Sequence, residues 1–215
     1  MEQQSIVLNA AEVRVLGALI EKEATTPDYY PLSLNALVNA CNQKSNREPV
    51  VEYDEDTVYG AIDSLRDKRL ALVIVGGGRV NKYAQRISET LNLGRRELAV
   101  LGVLLLRGPQ TLGEIKDRSE RMYAFADLEE TERVLEKLAE WPDISLAKKM
   151  PRQPGQKESR YCHLLSGEPS AVTWAEAAAT PAISKMAQLE QEVQQLRMEL
   201  EELKRRFEDL EEQLR

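Results

Sequence analysis

A segment that recurs inside one chain constrains the fold more than composition does, because each copy has to build the same local structure. Leu8 to Ile20 (LNAAEVRVLGALI) returns 85 positions later as Leu93 to Leu105 (LGRRELAVLGVLL). Six of the thirteen positions agree: Leu8/Leu93, Glu12/Glu97, Val15/Val100, Leu16/Leu101, Gly17/Gly102 and Leu19/Leu104. Both copies carry the apolar spacing of an amphipathic helix. Asn9 with Glu12 three residues on predicts a capping box at the start of the first.

The segments after the two copies match in kind. Ser33 predicts the cap of a short helix with Leu34, Leu37, Val38 and Cys41 on one face; Thr111 and Glu114 predict a capping box before Leu112 and Ile115. A third helix comes next in each half, with Val58, Ile62 and Leu65 in the first and Leu128, Leu135 and Leu138 in the second. Strands Ala71 to Val75 and Val80 to Arg86 flank Gly76, Gly77 and Gly78, which suit a tight hairpin. Ile144 to Lys149 and Arg160 to Leu165 flank a longer loop with Pro151, Pro154 and Gly155. Three helices and a hairpin, twice, is the order of tandem winged helix-turn-helix domains. The expected class is therefore mainly α with small β-hairpins (α+β), domain 1 at 5–90 and domain 2 at 91–168. An unrelated pair of α+β domains is the alternative.

Small residues and prolines at 169–182 read as a linker. Across 183–215, Met186, Leu189, Val193, Leu196, Leu200, Leu203, Phe207, Leu210 and Leu214 keep alternating 3 and 4 spacing, the seam of a coiled coil. With Met186 at position a, the pairs Glu192 with Arg197, Glu199 with Lys204 and Arg206 with Glu211 are all opposite in sign, which favours a parallel homodimer. Packing of this helix on its own winged domains is the competing arrangement.

Chemistry has few candidates. No run approaches the roughly 18 apolar residues of a membrane helix. Met1 to Asn9 lacks a signal core, and Cys41 and Cys162 read as buried free thiols, so the expectation is a soluble cytoplasmic protein without membrane attachment. The chain has one histidine; His163 lies in an expected strand and reads as structural. There is no CxxC, HExxH or acidic metal box, and Gly76 to Gly78 lacks what a phosphate loop needs. We therefore expect no catalytic residues, metal or cofactor, and no enzyme.

Winged helices bind duplex DNA by placing helix three in the major groove and the wing on phosphates. The candidate nucleic-acid-binding residues are Lys44, Arg47, Thr57, Tyr59, Arg66, Arg79 and Lys82, with Lys68, Arg69 and Arg86 near the backbone. A second basic strip, Lys148, Lys149, Arg152, Lys157 and Arg160, has Glu158 opposing it in the loop and suits phosphate, an acidic protein surface or plain solvation. The acids count against DNA. Residues 5–90 hold 10 basic and 12 acidic side chains, 91–169 hold 13 and 13, and the helix Asp127 to Glu140 has six acids against Arg133 and Lys137. Helix-dipole stabilisation explains Glu55 and Asp56 without any partner. Asn42 to Pro49 offers donors for an anion or nucleic-acid backbone, or turn bonding of its own; Tyr29 and Tyr30 read as a strap over the core more than as a stacking platform.

The run Leu19 to Val50 (LIEKEATTPDYYPLSLNALVNACNQKSNREPV), the DEDTVYGAIDSL helix and the ending SRYCHLLSGE together resemble the YceH-like family of bacterial proteins over about Leu8 to Glu168. The resemblance implies two tandem winged-helix domains and supplies no activity. Two functions stand on this reading. The leading one is a dimeric DNA-binding regulator with double-stranded DNA as partner. The other is a protein-interaction module similar to the acidic tandem winged-helix subunits of chromosome-structuring complexes, with helix three gripping a protein partner.

Overall fold

A computed structural model of the chain describes residues 6–75, 80–152 and 156–168. The linker 169–182, the heptad helix 183–215 and its dimerisation residues Leu189, Val193, Leu196, Leu200, Leu203, Phe207 and Leu210 lie outside the described residues, as does Arg79.

The first half opens with α1, Ala10–Thr25. Its capping box is complete: the Asn9 side chain accepts from the Glu12 N–H at 2.9 Å, and Glu12 accepts from the Asn9 N–H at 2.7 Å. A single 3-10 turn, Pro27–Tyr29, leads to β1, Leu32–Ser33, and Ser33 caps α2, Leu34–Cys41. Asp54 caps α3, Glu55–Asp67, by accepting from the Thr57 N–H. Strands β2, Ala71–Ile74, and β3, Lys82–Gln85, come next, then a short α4, Ile87–Thr90.

The second half repeats this order with α5, Arg95–Arg107; β4, Gln110–Thr111; α6, Leu112–Ser119; α7, Leu128–Ala139; β5, Ala147–Lys149; and β6, Arg160–His163. The Thr111 and Glu114 capping box forms, and Asp127 caps α7 as Asp54 caps α3. Among the described residues this makes seven α-helices and two three-stranded antiparallel sheets, ordered β1-β3-β2 and β4-β6-β5.

The third strand of each sheet is a feature the hairpin expectation lacks. β1 and β4 are two residues long, too short to show alternation. Each pairs with the central strand opposite a buried tyrosine, Leu32 with Tyr83 and Gln110 with Tyr161. The hairpin strands are shorter than expected. Leu128 also differs from expectation: it occupies the first position of α7 and is largely exposed, while Val134, Leu135 and Leu138 are buried.

The halves share one core. α1 packs on α5, the two copies of the recurring segment, with Val15, Leu16 and Leu19 meeting a core that includes Val100, Leu101 and Leu104. The matched glycines explain how close the two helices come. A Cβ on Gly17 would stand 2.9 Å from Leu106 Cγ and 3.1 Å from Leu105 Cβ; on Gly102 it would stand 3.1 Å from Ile20 Cγ2. Ile20 and Leu105 are themselves 85 positions apart, so the helix pair has an approximate two-fold relation.

The matched acids behave alike too. Glu12 is buried and receives Lys68 Nζ at 2.5 Å; Glu97 is buried and receives Lys137 Nζ at 2.8 Å. Burial opposes the charged form of both. For Glu12, hydrogen bonds from Lys68, Ser64 and the Asn9 N–H outweigh it; for Glu97, Lys137 and backbone N–H groups do, so both carboxyls sit below their usual range. In each half a carboxylate of the first helix ties down the end of the third.

Candidate interaction surface

The α3 cap and the register of β2 and β3 decide what the first half presents to solvent. Val58, Ala61, Ile62 and Leu65 face the core, so Glu55, Asp56, Thr57, Tyr59, Arg66 and Asp67 lie outward. Tyr59 is 51% exposed. It lies near Tyr83 of β3, whose hydroxyl is pushed up by burial first and then by Tyr59, against the pull of Arg66. Arg66 is held by Asp63 at 3.0 Å, and Lys68 is committed to Glu12. At the end of the paired strands, Ile74 of β2 and, just beyond them, Val75 (81% exposed) and Val80 (62%) form an exposed apolar edge, with Lys82 exposed as well. β2 and β3 pair Ile74 with Lys82 and Val73 with Tyr83.

The polar segment after α2 turns inward. Arg47 is 5% exposed; its guanidinium donates to Ala40 O at 3.0 and 2.8 Å, Asn46 O at 2.9 Å, Gln43 Oε1 at 3.1 Å and Glu21 Oε2 at 2.6 Å. Asn42 bonds Tyr53 in both directions, donating to its carbonyl at 2.7 Å and accepting from its N–H at 2.8 Å. Glu48 N–H donates to Leu106 O at 2.9 Å and Arg107 donates to Asn46, so this segment of the first half is laced to α5 of the second. Lys44 is exposed. Of the two tyrosines, Tyr30 straps β3, its hydroxyl accepting from the Gln85 N–H at 2.6 Å, while Tyr29 is exposed.

The second half differs electrostatically. Lys149 Nζ meets Glu132 at 3.0 Å, and Tyr161 donates to the same carboxylate at 3.0 Å; Lys148 meets Glu168 at 2.6 Å, and Arg160 meets Glu114 at 3.1 Å. Acids from α6, α7 and the segment after β6 therefore fall on the strip that in sequence faces only Glu158. Pairing by distant acids leaves no trace in local charge order, which is why the strip reads as basic in one dimension. Arg152 and Lys157 are exposed in the loop, with Arg152 donating to Gln156 O.

Neither cysteine is poised for chemistry: both are buried, and burial pushes the Cys41 thiol up to about 12 and that of Cys162 to about 11. Among the described residues no group of three or more His, Cys, Asp or Glu is arranged to hold a metal ion, and no helix is long and apolar enough to cross a membrane. Two buried nitrogens escape a reading of the sequence. Arg14 Nε and His163 Nδ1 are enclosed without a hydrogen-bond partner, and both residues line one cavity. The only sequence signal for Arg14 is an arginine inside an otherwise apolar stretch.

A family model described as "Protein of unknown function, DUF480" matches residues 8–156, which contains most of the stretch that carries the resemblance. A UPF0502 protein of Solibacter usitatus is 57% identical over 194 residues, covering 86% of this chain and 91% of the relative. A UPF0502 protein of Geotalea daltonii is 57% identical over 182 residues, with 84% and 82% covered. One from Opitutus terrae is 52% identical over 188 residues, with 87% and 82% covered.

Proposed function

The chain belongs to the DUF480 family of bacterial proteins, and from that premise we propose that it is a non-catalytic tandem winged-helix docking protein whose α3 face and first wing take a protein partner carrying basic and apolar side chains. The observation that carries the reading is that the first half exposes both Tyr59 with the acids Glu55, Asp56 and Asp67 on α3 and the apolar residues Ile74, Val75 and Val80 of the hairpin, with Tyr59 close enough to be felt by Tyr83 of β3. Aromatic anchors beside apolar residues are what protein interfaces concentrate at their centres. The acids select a partner of opposite charge.

Support for duplex DNA on the same face is thinner. A phosphate-tracking surface needs several free cations, and each lost contact lowers affinity and salt dependence together. Arg47 is buried, Arg66 and Arg86 are paired with acids and Lys68 is committed, which leaves Lys44, Arg69 and Lys82 exposed and outside any ion pair among the described candidates of the first half. The heptad seam of 183–215 adds a parallel homodimer to the proposal, placing two such faces on one assembly. Two buried thiols fit a cytoplasmic setting.

A photo-crosslinking residue placed at position 59 of the full chain, expressed in bacteria, tests the reading. Crosslinks to protein that disappear with Val75→Asp are expected, together with weak, sequence-indifferent binding to random duplex. Tight duplex binding that falls steeply with salt and is weakened by Lys44→Ala or Lys82→Ala would overturn it in favour of the DNA regulator.

A further inference from the structure

A cavity of about 260 Å³ lies where the two halves meet. Its walls are Val13 and Arg14 of α1, Val51 and Tyr53 of the segment before α3, Leu105 near the end of α5, and His163 at the end of β6. Arg14 is 4% exposed. Its Nη1 donates to Cys41 O at 3.1 Å and its Nη2 to Pro49 O at 2.5 Å, both neutral acceptors, and Nε meets nothing. No carboxylate among the described residues reaches ion-pair distance of Arg14; Glu48 borders the cavity without doing so. The charged group felt most strongly is Arg47, of like sign.

A guanidinium stays protonated under any biological condition, so this is a buried cation without a counter-ion, an expensive arrangement unless something of opposite charge compensates it. His163 adds a second orphan in the same wall: Nδ1 is enclosed and unpartnered. Burial brings the imidazole down to about 4, so the ring is neutral at pH 7 and can place its single N–H on Nδ1. The remaining lining is mostly apolar, Val13, Val51 and Leu105 among it, with Glu48, Tyr53 and Ser166 as its polar members.

We propose that this cavity binds a small monocarboxylate with an apolar body, the carboxylate serving as counter-ion to Arg14 and acceptor for the His163 ring, the body resting on Val13, Val51 and Leu105. A carboxylate between these two lining residues would offer each an acceptor it lacks, and a small hydrocarbon body fills a space of several water volumes. Because the walls come from both halves, an occupied site ties the first half to the second and raises the melting temperature by mass action.

The single histidine makes the test direct, because the imidazole signals of the full chain need no assignment. With ¹⁵N-labelled protein and benzoate as the probe, we expect a saturable change in the Nδ1 shift, a rise in melting temperature over the same concentrations, and neither effect from sodium chloride of equal ionic strength. Arg14→Met weakens the response about tenfold or more, the scale of losing a charge-assisted bond. Val13→Phe keeps both polar groups and the fold but fills the cavity, and abolishes the response. Three results would overturn the proposal: a Nδ1 signal unmoved by benzoate; equal responses to benzoate and benzamide, which reduce the site to an apolar crevice; or a ring that titrates near the ordinary histidine value, which places it in water.

Discussion

In the first half the last residue of the central strand, Gln85, is fully engaged: its side chain donates to Glu23 at 2.7 Å and to Ser88 at 2.9 Å, and accepts from the Ser88 N–H. The matching residue of the second half, His163, leaves Nδ1 unmet. The first helices diverge in the same way: Arg14 is buried without a counter-ion, and 85 positions on Ala99 is buried with nothing to satisfy. Where the halves agree, at Glu12 and Glu97, Gly17 and Gly102, or Tyr83 and Tyr161, the residues serve the scaffold. Where they part, the residues are polar, enclosed and partly unmet, or apolar and exposed. Internal repetition thus works as a control experiment within one chain, separating what the fold demands from what it does not.

The halves differ most at Arg47, which has no counterpart in the second half because its segment, 42–54 between α2 and α3, is longer than 120–127 between α6 and α7. Arg47→Ala removes five hydrogen bonds and leaves the buried Glu21 side chain with Lys22, at 4.0 Å, as its one ion-pair partner among the described residues, so a loss of about 3–5 kcal/mol is expected in urea denaturation. The exposed α7 pair offers the contrast: Arg133→Ala, which releases Glu129, costs less than about 0.5 kcal/mol. A small loss at Arg47 would mean that the segment is decoration on the first half and not a strut between the halves.

Acid separates the halves next. The imidazole of His163 is depressed to about 4 by burial, from an ordinary 6.5, so the unfolded chain takes up this proton more readily. Its contribution is present above 6.5 and lost as pH falls toward 4, a cost of about 3 kcal/mol across that window. Glu12 and Glu97, both held below 4.5, lose theirs only below that value, as pH falls through their lowered folded range. Replacing the histidine with its first-half equivalent, His163→Gln, should erase the upper window and leave the lower one. Unfolding curves from pH 7 to 3 read both. Survival of the upper window in the variant would assign it to other groups.

Much of this scaffold is legible in one dimension because its determinants are local. Caps at Asn9, Ser33 and Thr111, apolar spacing and the repeated segment need only neighbours within four residues, and each of those caps forms. β1 and β4 are not legible, since two residues carry no period. The candidate surface is less readable for a different reason: whether a cation is free depends on acids far away in sequence. Glu132 lies 17 residues from Lys149 and Glu114 lies 46 from Arg160, and Arg47 is spent on Glu21, 26 residues earlier. Charge order along the chain cannot register such pairs. The cavity nitrogens are illegible for the same reason, since their state depends on what is missing around them.

The smallest expected effects sharpen the comparison most, because they test how far the two-fold relation of α1 and α5 extends. Alanine gains about 1 kcal/mol over glycine inside a helix. At Gly17 that gain meets a Cβ 2.9 Å from Leu106 Cγ, a branch point with backbone close behind it, so overpacking of about 1–3 kcal/mol outweighs it and Gly17→Ala is destabilising. At Gly102 the nearest atoms are Ile20 Cγ2 at 3.1 Å and Met122 Sδ at 3.4 Å. The methionine is the adaptable neighbour, and the remaining strain cancels the helical gain, so Gly102→Ala should melt within about 0.5 kcal/mol of the parent chain. Equal destabilisation of both variants would mean that the helices pack with true two-fold symmetry; the inequality says that Leu106, whose repeat position is the charged Glu21, has already broken it.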